Sequence, residues 1–129
     1  MPDVLVEVRG KWLGARKRDF LDAIHSAMVE AIKIPPDDRV ARLVEYKVGD
    51  FVTPPRLSPK FTRIAITMYA GRSLDAKRRL YKAITRNLEP FGVAPNSVKI
   101  VLVEVPGENW GIRGGHAACD IDLGFDVRV

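Results

Sequence analysis

The chain has 129 residues with a net charge of +5, one cysteine and two histidines. That length suits one domain and excludes two, and no apolar run approaches the roughly 20 residues needed to cross a bilayer. Cys119 alone excludes an internal disulfide, and with only His25 and His116 beside it no cluster of soft metal ligands can form. The expectation is a cytoplasmic protein without metal or cofactor and without a membrane partner.

Pro2 follows the initiator Met1 and precedes the strand-like run 4–8. A small second residue favours removal of Met1, and the mature chain is then expected to begin with a secondary amine tied to the first strand. Most chain ends fray, whereas a terminus continuous with a strand is held. Next comes an amphipathic segment over 15–32, with Phe20, Leu21, Ile24, Ala27, Met28, Ala31 and Ile32 at three- and four-residue spacing. Pro35 and Pro36 stop it. Residues 40–46 read as a second strand, and 48–60, with Gly49, Pro54, Pro55 and Pro59, as a long loop.

The pattern then restarts. Residues 62–69 form a strand, Ser73 caps a helix reaching Leu88, and 98–105 form the most apolar strand. The stretch 34–46 lays over 93–105 without a gap, Leu43 on Leu102 and Glu45 on Glu104. The reading is a single α/β domain over 1–129 built from two tandem β-α-β units, 2–46 and 62–105. Each crossover should make its strands parallel. Together they give a four-stranded mixed sheet with two helices on one face. Consecutive apolar residues such as Ile100-Val101-Leu102-Val103 imply burial on both faces, so a second subunit is expected over the uncovered face. The tail, 106–129, begins with glycines around Trp110 and alternates from Cys119 to Val129, which predicts a C-terminal edge strand.

The basic runs Arg16-Lys17-Arg18 and Lys77-Arg78-Arg79 lie in helical segments without interleaved aromatic residues. They read as solvated helix faces, and no nucleic-acid partner is expected. Gly111-Ile112-Arg113-Gly114-Gly115 lacks the strand-before, helix-after context of a phosphate loop and reads as a turn or subunit contact.

A doubled β-α-β unit with Pro2, Pro36-Asp37-Asp38-Arg39, Gly71-Arg72-Ser73 and Asn109-Trp110-Gly111 in order resembles the tautomerase superfamily, in particular its longer-chain branch containing the malonate semialdehyde decarboxylases. The resemblance implies a homotrimer and an amino-terminal proline acting as catalytic base or acid. It further implies an arginine gripping a carboxylate, here Arg72, and a water-activating aspartate matching Asp38. The pattern has two arginines after the third strand; here Ala70 stands in place of the first. Proton transfer needs fewer groups than decarboxylation, so the expected activity is tautomerisation of small enolic or 2-oxo acids. The alternatives are a decarboxylase or hydratase of a 3-oxo or unsaturated acid, or a non-catalytic oligomeric binding protein. Arg72 is read as catalytic and substrate-binding. Asp38 either orients water or caps the second strand, or pairs with Arg39. Trp110 either walls the pocket or is a core or interface residue, and Arg113 is a candidate for the missing cation.

Overall fold

The computed structural model describes residues 2–129. Its elements in chain order are β1 (Asp3–Arg9), α1 (Lys17–Ile32), β2 (Val40–Tyr46), β3 (Thr62–Tyr69), α2 (Leu74–Leu88), β4 (Val98–Val105), and a two-residue ladder of β5 (Gly111–Ile112) with β6 (His116–Ala117). The main sheet has the order β2-β1-β3-β4. β1 runs parallel to β2, β3 runs parallel to β4, and the two units meet in an antiparallel β1–β3 seam.

Both helices cover one face. Alternation along the central strands turns Val4, Val6 and Val8 of β1 and Ile64, Ile66 and Met68 of β3 inward, each with no exposed surface. They meet Phe20, Ile24 and Ile32 of α1 and Leu80, Ile84 and Leu88 of α2. Full burial of each such side chain stabilises the fold by about 1.5–3 kcal/mol. Helix α1 ends at Lys33, whose left-handed φ of 57° reverses the chain ahead of Pro35. Helix α2 starts at Ser73, whose hydroxyl accepts a hydrogen bond from the Ala76 amide.

The two units match in detail. Ile34 and Val93, which occupy equivalent places before β2 and β4, are both buried. Glu45 of β2 pairs with Lys17 of α1 at 2.9 Å, and Glu104 of β4 pairs with Lys77 of α2 at 2.5 Å.

Among the described residues no helix covers the opposite sheet face. Glu7 at its centre receives the Tyr46 hydroxyl and, at 3.1 Å, the Arg63 guanidinium. Apolar residues of the edge strands stand open around this polar centre: Val40 is 54% exposed, Val44 38% and Val103 44%.

The tail corrects the expectation from sequence. No C-terminal edge strand forms. Beyond β6 the chain makes a short 3-10 turn over Ala118–Asp120 and then runs without a ladder to Val129. The alternation is real in burial, with Ile121, Leu123, Phe125 and Val127 half-buried and the residues between them exposed. Its backbone groups find other partners. Gly124, at φ 83°, donates to Asp122 Oδ1, and Arg128 N donates to Asp126 Oδ1. Short acidic side chains bonding their own backbone compete with strand pairing. The segment is fastened at its end instead: the carbonyl oxygen of Val129 accepts from the Ser73 amide at 3.1 Å and from its hydroxyl at 2.7 Å.

Candidate active site

The topology brings four chain segments to one end of the sheet. β1 and β2 begin there, and β3 and β4, on the other side of the antiparallel seam, finish there. Pro2, the turn before β2, Gly71-Arg72-Ser73 and the loop holding Trp110 are therefore neighbours in space, although they span more than 100 positions of sequence.

A cleft of about 450 Å³ opens at this end. Pro2, Asp38, Trp110 and Arg113 share its lining with Pro35, Asp37, Ile112, Leu123 and Phe125. Pro2 is buried and Asp38 half-buried. The Asp38 amide donates to the Pro35 carbonyl at 3.0 Å, closing the turn that presents the carboxylate. Arg39, which its adjacency in sequence offers as a partner for Asp38, reaches to Asp22 of α1 at 2.6 Å. Trp110 is half-buried as a wall of the cleft, its ring N–H donating to the Val105 carbonyl at 3.1 Å. Arg113, at φ 50°, donates from Nη1 to the carbonyl of Asp122 and from Nη2 to that of Leu123, which holds the tail against the rim. Its position beside the cleft leaves a cation there even though part of its hydrogen-bonding capacity is used.

Arg72 does not line this cleft. It is 5% exposed, its Nη1 donating to the Tyr69 carbonyl at 3.2 Å, while Nε and Nη2 are buried without a partner among the described residues. Burial pushes the guanidinium below the ordinary arginine value, and the Asp38 and Glu104 carboxylates pull it back up. Arg72 thus feels the Asp38 charge although it is no part of the cleft lining. The tail runs beside both its neighbours: a Cβ built on Gly71 would lie 3.5 Å from the Val127 side chain, and Ser73 bonds the Val129 oxygen.

Sequence reading missed Leu123 and Phe125. The alternation that marked them as half-buried was legible, but their partner surface is the cleft and not a neighbouring strand. Among the described residues no three His, Cys, Asp or Glu side chains converge as a metal site would require. Met1, whose removal the sequence leads one to expect, lies outside the described residues.

A buried proline at the head of the first of two β-α-β units thus shares a small cleft with the Asp38 carboxylate. The chain belongs to the tautomerase family: the family model described as tautomerase enzyme matches residues 38–113. A 2-hydroxymuconate tautomerase of Comamonas testosteroni is 40% identical over 53 residues, which are 40% of this chain and 84% of that protein. The solved structure of a malonate semialdehyde decarboxylase inhibited by 3-bromopropiolate is similar over 89% of this chain and 92% of its own, with TM-score 0.81 and 29% identity. A fused 4-OT solved as a symmetric trimer shares the fold with TM-score 0.80 and 24% identity over 90% of this chain and 95% of its own.

Proposed function

We propose that this chain is a cofactor-independent tautomerase that moves a proton between the keto and enol forms of small enolic or 2-oxo carboxylic acids. The observation that supports the reading most strongly is the buried Pro2 in the wall of a cleft that also holds Asp38, at the sheet end where Arg72 lies. An α-amino group exposed to water titrates near 7.7–8. Burial and the Arg113 charge disfavour its charged form while Asp3, Asp37 and Asp38 in the same lining favour it; with the first pair prevailing, the freed proline nitrogen is a base suited to carbon acids near pH 7. The fixed ring limits its motion.

In this reading the Arg72 charge, next to the cleft, attracts the substrate carboxylate and stabilises the enolate that develops; direct use of its buried Nε and Nη2 donors requires the tail beside Gly71 and Ser73 to shift. Arg113 adds a second cation at the rim, in place of the arginine that Ala70 replaces. Trp110, Leu123 and Phe125 exclude water and hold the apolar part of the substrate. Asp38 orients the enol hydroxyl. The active form is a cytoplasmic homotrimer, a subunit covering the open sheet face around Val44 and Val103, in keeping with the trimeric fused 4-OT. Turnover of phenylenolpyruvate tests the reading, with Pro2→Ala expected to lose most of it while the fold survives. Unchanged turnover in that variant removes proline from the mechanism. The intact mass is expected to lack Met1, since a retained methionine makes the Pro2 nitrogen an amide without basicity.

One observation favours a second reading. The likeness to a malonate semialdehyde decarboxylase covers nearly the whole chain, and Asp38 shares the cleft with Pro2. A carboxylate placed so can activate water, which would make the enzyme a decarboxylase or hydratase of a 3-oxo or unsaturated acid. Product analysis with a 3-oxo acid separates the two.

A further inference from the structure

Helix α1 holds the segment that carries Asp38 by two side chains three residues apart on one face. Asp22 Oδ1 pairs with Arg39 Nη2 at 2.6 Å. His25, 7% exposed, places Nε2 2.6 Å from the carbonyl oxygen of Pro36. A carbonyl only accepts, so Nε2 must be the nitrogen that carries hydrogen there. The other ring nitrogen, Nδ1, is buried without a partner among the described residues, so this one bond is what orients the imidazole. The two grips fall on either side of Asp37-Asp38, at Pro36 and at Arg39. Between them the turn is closed by the Asp38 amide on the Pro35 carbonyl. Pro35, Asp37 and Asp38 all line the cleft.

We propose that His25 is a positioning residue, whose Nε2–H bond to the Pro36 carbonyl fixes the Pro35–Asp38 turn and so sets the place of the Asp38 carboxylate in the cleft. A purely packing role would need only an apolar side chain of similar size at position 25. The observed bond joins the helix layer to a loop that no β-ladder holds, on the opposite side of Asp37-Asp38 from the Asp22–Arg39 pair. The consequence for turnover rests on the cleft being the active site; the consequence for the turn does not.

The experiment compares His25→Gln, His25→Asn and His25→Leu in the full chain. Glutamine carries an amide N–H about as far as Nε2, asparagine carries the same group too short, and leucine removes it. Amide hydrogen exchange at Asp38 reads the turn directly, with Val6 and Ile64 in the sheet as controls. His25→Asn and His25→Leu are expected to exchange at Asp38 at least tenfold faster with the sheet amides within twofold, and His25→Gln is expected to stay within threefold of the parent. On phenylenolpyruvate the first two should lose tenfold or more in kcat with KM within threefold, and glutamine should restore it. Unchanged exchange at Asp38 in His25→Asn overturns the proposal, as does full kcat in a variant whose turn is loosened. If only the polar pair folds, the contrast between glutamine and asparagine decides alone. A parent protein inert on the enol, with the exchange pattern as expected, supports the positioning of the turn and counts against the tautomerase reading instead.

Discussion

Arg72 donates one hydrogen bond, from Nη1 to the carbonyl oxygen of Tyr69 three residues back, and keeps Nε and Nη2 buried with no partner among the described residues. A guanidinium in that state has given up water without full replacement, which destabilises the folded chain. An arrangement of this kind is expected where an anion completes the set.

Replacing Arg72 therefore separates stability from activity. Arg72→Met keeps the length of the side chain and removes the buried charge, and exchanging buried ionic groups for apolar ones is often neutral or stabilising by about 1–4 kcal/mol. The denaturation midpoint of Arg72→Met should be unchanged or higher, while kcat/KM for an enolic acid falls by about a hundredfold, equivalent to ~2.7 kcal/mol. Arg72→Lys keeps the charge but loses the fork and should recover only part of the activity. An unfolded Arg72→Met would show that the arginine holds the sheet end together instead.

Asp38 acts on the same charge with opposite sign, its carboxylate raising the Arg72 value that burial lowers. In Asp38→Asn the site becomes more positive, so KM for a carboxylate substrate should drop by a few-fold, an effect of about 1 kcal/mol. If Asp38 also activates water, decarboxylation or hydration falls by about 10²–10⁴-fold in the same variant. Steady-state kinetics on an enolic acid and on a 3-oxo acid, run side by side, measures both.

Gly107 is required by contact and not by backbone angle. A Cβ built there would lie 2.1 Å from the hydroxyl oxygen of Tyr69 and 2.6 Å from the ring carbon that bears it. Gly107→Ala must displace either the tyrosine or the loop leading to Trp110, at about 1–3 kcal/mol. Thermal unfolding should show the loss, and the double variant Tyr69→Phe with Gly107→Ala should recover part of it.

On the open sheet face the Tyr46 hydroxyl donates to Glu7, and this bond, with burial and the Glu7 charge behind it, raises the phenol above its ordinary 10.0. A group whose folded value is raised stabilises fully below its unfolded value and loses that contribution as pH climbs through the folded one. Ultraviolet titration should show an alkaline phenol transition, above the ordinary 10.0, that is absent from Tyr46→Phe, with the stability it contributes disappearing only in that range.

Much of the scaffold could be read in the chain because period and punctuation agreed. Apolar spacing and Pro35-Pro36 gave α1, the Ser73 cap gave the start of α2, and the overlay of 34–46 on 93–105 anticipated the matching places of Leu43 and Leu102 on the helix side of the sheet. The tail failed because alternation reports which side chains are shielded and not what shields them. Asp122 and Asp126 satisfy the backbone locally, and Arg113 takes two of the carbonyls. In the site, Pro2, Asp38 and Trp110 were recognisable by resemblance and Arg113 was a candidate only for the missing cation; the four do share one cleft. The burial of Arg72 outside that lining was not legible, since the chain end folds back from far in sequence, Val127 beside Gly71 and Val129 onto Ser73.

The most direct measurement is covalent labelling with an acetylenic 2-oxo acid, followed by peptide mapping by mass spectrometry. One equivalent of adduct is expected on the Pro2 nitrogen of a chain lacking Met1, with labelling slowed as pH falls and abolished by a competing carboxylate. Adduct distributed over lysines, with Pro2 unmodified and turnover intact, would contradict a mechanism built on the proline amine.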